Sequence, residues 1–240
     1  LTSISALLGI CRKALRHMAR PKRRGLERGR KKQSREKRKR HLIVSNGKVT
    51  EAEYFETIIE EMGVRGSVRY KFVDGDPLTL VKRLSRELKL DEKAEEMKEI
   101  EPISSVWVVV DTDEFKNLGQ AEREGKNSGY RFAISNPCFE VWLIDHDSPC
   151  PDSCVTAALC SGRARNLGLL RPTNPKRKSV ENYKSINQEL VRGKYREAIV
   201  NASRHNSEAK RLARAKNPDG VDTYAVWTDM PELMKVVFGV

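Results

Sequence analysis

The sequence predicts an α/β protein: a parallel sheet flanked by helices, with a helical subdomain after it. Three observations carry that prediction. Short apolar runs recur along residues 41–136, and segments with helical spacing separate them. Strands that alternate with helices imply a parallel sheet covered on both faces. From about residue 146 the strand signal fades and helical spacing takes over.

The elements follow in order. "HLIVSN" (41–46) is a first strand, apolar on both faces as in a buried parallel sheet. "EAEYFETIIEEMG" is a helix in which Tyr54/Phe55, Ile58/Ile59 and Met62 recur at helical spacing, ended by Gly63. "SVRYKFVDG" is a second strand. Asp76-Pro77 opens a long helix through about Leu90, with Leu80, Leu84 and Leu88 on one face. Residues 91–101 continue it as charged helix or loop. "SSVWVVVDTDEF" (104–115) is the strongest strand of the chain. After a polar, glycine-bearing stretch (117–129), "YRFAISN" is a fourth strand, and Pro137 starts the helix "PCFEVWLI". "SVENYKSINQELVR", "KYREAIVNASRHNSEAKRLARA" and "MPELMKVV" read as helices. The expected organisation is an N-terminal arm (1–40), an α/β core (41–145) and a helical subdomain of the same unit (146–240).

Charge is unevenly distributed. The 240 residues carry a net +13, yet residues 1–40 hold 16 Lys/Arg against two Glu, so the remaining body is close to neutral. So dense a block of like charge resists collapse, and a disordered basic arm is expected. It suits either contact with nucleic acid, through counterion release, or a solubilising leader. The apolar run "LTSISALLGI" precedes the charge, the reverse of a secretory signal. Residues 1–17 read as an over-long start, with Met18 the expected first residue. No apolar run approaches the roughly 18 residues of a membrane span. A cytoplasmic protein without membrane association is expected.

Of the five cysteines, Cys150, Cys154 and Cys160 lie near one another and near His146. No C-x-x-C knuckle is present, and one helix would place Cys154 and Cys160 on different faces, so buried or loop thiols are expected rather than zinc. The four histidines form no triad with serine or cysteine, and His205 reads as a surface residue of a helix. Without a glycine-rich Walker loop, no small-molecule cofactor is expected, and any ATPase would be a separate subunit.

Ligands of a parallel sheet bind at the carboxyl ends of its strands. There the first strand brings Asn46, Gly47 and Glu51, the third Asp111, Asp113 and Glu114, and the fourth Ser135 and Asn136, with Glu140 one turn into the next helix. Carboxylates crowded at one edge repel unless a hard cation neutralises them, and magnesium or manganese suits such donors. D-x-D on a strand would point Asp111 and Asp113 the same way. Taken singly, each acid has a plainer reading: Asp111 and Asp113 as a strand-ending turn, Glu51 and Glu140 as first-turn acids opposing the helix dipole. Gly47 would be needed only for turn geometry. Lys48 in the turn, and Lys176, Arg177, Lys178, Tyr183 and Lys184 further on, combine charge with an aromatic ring. That mix suits a nucleic-acid strand or a solvated loop.

"LIVSNGKVTEAEYF", "VWVVVDTDEF" and "AISNPCFEVWLI", with "ENYKS" (181–185) and "AIVNAS…NPDGVDTYAVWTDMPELM", resemble the RloB-like proteins of bacterial restriction and abortive-infection loci. The resemblance spans roughly residues 41–236. It implies a Toprim-like core, whose magnesium site is shared with primases, topoisomerases and overcoming-lysogenisation-defect nucleases. It further implies a nuclease or toxin effector, in some systems beside an ATPase partner. On it, Asp111 and Asp113 match the Toprim D-x-D pair as metal ligands. Glu51 matches the acid of the family's "TE", and Glu140 that of "NPCFE". The departure is Asn46, where the family usually has glutamate before glycine. An amide offers a carbonyl oxygen but cannot take a proton near neutral pH. Two readings follow: a metal-dependent nuclease using Glu51, Asp111, Asp113 and Glu140, or a catalytically degenerate subunit that binds nucleic acid or an ATPase partner without cutting.

Overall fold

The computed structural model describes residues 39–96, 103–112, 117–177 and 179–240. The expected basic arm, apart from its last two residues, lies outside the described residues, as do Asp113, Glu114 and Lys178. Five strands make one sheet in the order β2-β1-β3-β4-β7: β1 (Arg40–Ser45), β2 (Val68–Phe72), β3 (Ile103–Asp111), β4 (Arg131–Asn136) and β7 (Trp227–Thr228). The first four are parallel, as the sequence predicts. β7 is antiparallel to β4, pairing Ser135 with Thr228 and Asn136 with Trp227.

Side-chain alternation divides the two faces. Ile43, Trp107, Val109 and Ala133 face one core with α1 (Thr50–Glu61). Leu42, Val44, Val106, Val108, Val110, Phe132 and Ile134 face a second core with α2 (Pro77–Glu96) and α3 (Leu118–Asn127). The unbroken apolar run Val106–Val110 of β3 is thus explained by helices on both sides. Asp76 caps α2, accepting from the Leu78 and Thr79 amides at 3.0 and 3.1 Å.

The first core continues without a break into the C-terminal part. Trp142 and Ile144 of α4 (Glu140–Ile144), Ala164 of α5 (Ala157–Asn166), Ala198 and Ala202 of α7 (Tyr195–His205), and Met230 and Leu233 of α9 (Met230–Leu233) belong to it. This part is mainly helical, as expected, with a correction at "ENYKS", where only Glu181 and Asn182 belong to a helix, the 3-10 turn Val180–Asn182. Tyr183–Ile186 forms β6, which pairs antiparallel with β5 (Leu170–Pro172), and only then follows α6 (Gln188–Val191). The long C-terminal helix is two, α7 and α8 (Glu208–Lys216), with Ser207 capping the second.

His205 is buried rather than on the surface, its Nε2 lying 3.0 Å from each carboxylate oxygen of Asp145. β7 is held by Asp229, which accepts from the Ile134 amide, the Trp227 indole and Arg214 at 3.1, 2.8 and 2.6 Å.

His146 is 1% exposed, set edge-on among Tyr54, Trp142 and Tyr195, with its Nδ1 3.0 Å from the Trp142 carbonyl oxygen. Burial pushes its pKa down to about 4. In the unfolded chain it titrates near 6.5, so between these values the unfolded chain binds the proton more readily. Stability is therefore lost as pH falls from about 6.5 to about 4, by roughly 3 kcal/mol. Urea unfolding at pH 7 and pH 4.5 checks this. His146→Leu is expected to remove most of the wild-type difference.

Candidate functional site

The chain runs from β1 outward to β2, then crosses back to place β3 on the other side of β1. The carboxyl ends of β1 and β3 therefore frame a topological switch point, the usual ligand crevice of such sheets. A cleft of about 290 Å³ opens there. Asn46, Lys48, Glu51, Asp111, Glu140 and Lys184 line it together, bringing residues of the β1 turn, the end of β3, the start of α4 and β6 to one place.

The β1 turn is pinned by its own hydroxyls. Gly47 donates its amide to Ser45 Oγ at 3.2 Å, and Tyr70 donates to the Gly47 carbonyl at 3.0 Å. Gly47 is not in the left-handed region, so glycine is not required for the turn's backbone. What requires it is Glu51. A Cβ at Gly47 would lie 1.8 to 2.0 Å from the Glu51 carboxyl atoms. The first turn of α1 thus folds this 8%-exposed carboxylate back over the glycine. Glu51 is both a helix-start acid and part of the cleft wall. Its charge is felt at Tyr70, whose phenol is pushed up to about 12, chiefly by burial. Gly47→Ala is expected to leave stability nearly unchanged, because a flexible carboxylate can move aside. It should lower divalent-cation affinity by roughly 10–100-fold, as loss of ligand orientation does. Parallel manganese titration and thermal melting would check both.

Asp111 ends β3 opposite Ser135. The strand ends there, and Asp113, expected to point the same way, lies outside the described residues. The next residue ties the two strand ends together. Thr112 donates its amide to the Pro137 carbonyl at 3.1 Å and its hydroxyl to Asn136 Oδ1 at 2.9 Å. Asn136 also donates to the Val221 carbonyl, and Ser135 lies 3.0 Å from the Thr228 hydroxyl. Ser135 and Asn136, expected at the site, instead hold the sheet to its C-terminal edge. Glu140 is 5% exposed and accepts from Ser161 of α5 at 3.3 Å.

Lys184 is delivered by the β5–β6 hairpin, which docks on α1. Thr50 donates to the Lys184 carbonyl at 2.8 Å, and Glu53 accepts from Ser185 Oγ and the Ile186 amide, both at 2.8 Å. Of the remaining predicted nucleic-acid contacts, Lys176 and Arg177 are exposed in the connecting loop and do not line the cleft. That loop is built around Asn182, which donates to the Asn174 and Arg177 carbonyls. Tyr183 is half-buried, and the Arg165 guanidinium stacks 5.6 Å from its ring centre. One ring face is therefore already engaged.

Ser161 and Cys138 also line the cleft and were not anticipated. Ser161 meets Glu140 across 21 residues, and no local pattern marks that pairing. The donor set is three carboxylates, an amide and a hydroxyl, all hard oxygen ligands that fit magnesium or manganese. Among the described residues, the donor set whose atoms all lie within 4.8 Å of one another is not these acids but Cys150, Cys154 and Cys160.

Among the described residues, no helix is long and apolar enough to cross a membrane. No curated protein and no solved structure matches the chain. The family model described as RloB-like protein matches residues 41–237, nearly all of the chain beyond the basic arm, and the chain belongs to the RloB-like family.

Proposed function

We propose that this protein is a magnesium- or manganese-dependent nuclease of the Toprim type, which hydrolyses phosphodiester bonds of RNA or DNA as an effector of antiphage defence. The observation that carries the reading is one cleft at the sheet's switch point, lined by Glu51, Asp111 and Glu140 with Lys48 and Lys184 beside them. Asp111 and Glu51 would hold the cation, which would supply charge neutralisation at the scissile phosphate and a more acidic bound water. Magnesium keeps several waters, so it does not demand the tight spacing a dehydrated ion would. Lys48 and Lys184 would pair with the phosphates on either side. Glu140, held by Ser161, adds negative potential that favours the cation. Asn46 can orient a water or phosphate through its amide but cannot take a proton. Glu51, folded back over Gly47 as a cation ligand, is a poorer proton acceptor than a glutamate at position 46 would be, so native cleavage is expected to be slow in this reading. The partners would be nucleic acid, with the basic arm adding contact to its backbone, and a separate ATPase subunit.

Asn46 also favours a second reading, a degenerate subunit of the same fold that binds without cutting. Incubation of the full chain with labelled single-stranded RNA, tRNA and duplex DNA, in magnesium, manganese or chelator, separates the two. Cleavage that needs the metal supports the nuclease. Binding without cleavage of any substrate in either metal supports the binding subunit.

A further inference from the structure

Three sulfurs converge just behind the acidic cleft, and a fourth lies beside them. The Sγ atoms of Cys150, Cys154 and Cys160 all lie within 4.8 Å of one another, and none of these residues is more than 3% exposed. Cys138, also 3% exposed, joins them through a thiol contact to Cys160. None is in a disulfide. The expectation from sequence, that Cys154 and Cys160 would diverge on one helix, fails because the helix starts too late. Thr156 caps α5, so Cys154 lies in the preceding loop and only Cys160 is helical. The loop can then turn back on the helix, and the Cys160 thiol donates to the Cys154 carbonyl at 3.2 Å. His146 is not part of the group; its ring sits among aromatic side chains.

We propose that Cys138, Cys150, Cys154 and Cys160 form a structural site for a single tetrahedrally coordinated zinc ion, whose Cys138 corner borders the carboxylate cleft. Zinc–thiolate bonds of about 2.3 Å set the four sulfurs of a tetrahedral site ~3.8 Å apart. The Cys150, Cys154 and Cys160 sulfurs are within about an ångström of that spacing, and Cys138, which touches Cys160, would supply the fourth thiolate by closing onto the ion. A single ion fits this span, whereas an iron–sulfur cluster would need room for its own metals and sulfides between the thiolates. Four cysteines leave no open coordination position, the mark of a structural rather than a catalytic zinc. The donor sets are opposite in kind, thiolates here and carboxylates in the cleft, so the two sites select different ions.

The surroundings hold the ligands from outside. The Cys150 amide donates to Asp145 at 3.0 Å, and Asp145 is itself held by His205 of α7. Cys138 and Glu140 flank Phe139 at the start of α4, so a zinc ion here would brace the acid's helix against α5, which carries Ser161. Between α4 and α5 the Cys154 amide donates to the Pro151 carbonyl at 2.9 Å, and the ion would cross-link this segment to the end of β4 and to α5.

The experiment uses the full chain, purified without chelator, with zinc measured by elemental analysis and cobalt loaded in its place. About one equivalent of zinc is expected, and cobalt should give thiolate charge-transfer absorption with the strong visible bands of tetrahedral geometry. Cys154→Ser and Cys160→Ser should each lose the ion on dialysis. Cys154→Ser, in the loop, keeps the test open if the helical variant fails to fold. Cys138→Ser should weaken the charge-transfer band by about a quarter, one thiolate of four. Asp111→Ala should retain full zinc, so failure here and failure of the nuclease reading are told apart.

The proposal is overturned if the wild-type chain binds no zinc or cobalt, or if its cobalt complex lacks thiolate absorption. It is equally overturned if zinc is lost in Asp111→Ala but kept in the cysteine variants, or if native mass spectrometry finds these cysteines paired as disulfides.

Discussion

Asp111→Ala is expected to abolish magnesium and manganese binding and to remove the stabilisation these ions confer. Asp111 ends the central strand of the cleft, and its position is fixed by the Thr112 bonds to Pro137 and Asn136. At a metal concentration 100 times the dissociation constant, a bound ion stabilises the folded chain by about 2.7 kcal/mol. For a unit of this size that is a rise in melting temperature of roughly 5–11 °C. The variant should show no such rise. Any metal-dependent cleavage should fall with it. The check is a pair of melting curves with and without manganese, beside calorimetric titration. A variant that still gains the full metal-dependent rise would place the ion away from Asp111 and sink the proposed cation site.

Asn46→Glu is expected to raise cleavage by about 10²–10⁴-fold, the usual contribution of a general base. Asn46 lines the same cleft as Glu51 and Asp111. A carboxylate at this position would add a proton acceptor where the native amide has none. It would also add a fourth acid to the cleft, so the metal-free variant should be slightly less stable and its metal affinity higher. Single-turnover cleavage at saturating metal is the measurement. A rate unchanged by the substitution, with tighter metal binding, would mean that Glu51 already performs the proton transfer. No cleavage by either protein, with the metal bound in both, would favour the binding subunit.

Much of the molecule is legible in its sequence, and the reason is local. β1 and β3 are apolar at successive positions, which only a sheet covered on both faces accommodates, so the parallel α/β arrangement follows from the residues alone. A turn glycine after β1 and an acid at the end of β3 place Glu51 and Asp111 at the carboxyl edge for the same reason. Expectation failed where the deciding interaction joins distant residues. β6 reads as helix until Thr50 and Glu53 of α1 hold its backbone, across more than 130 residues. β7 is two residues long and depends on Asp229 reaching Ile134 and Arg214. His205 looks like a surface residue until Asp145 is found buried against it.

The sequence by itself determined the layered parallel sheet, its strand ends and the acids they present, because hydrophobic period and turn chemistry act within a few residues. Only the tertiary structure decided that Glu51 lies over Gly47, that Lys184 and Ser161 complete the cleft, and that three cysteines from a loop and a helix meet beside Cys138. Those placements rest on side chains packed and hydrogen-bonded across long stretches of chain, and no local pattern encodes them.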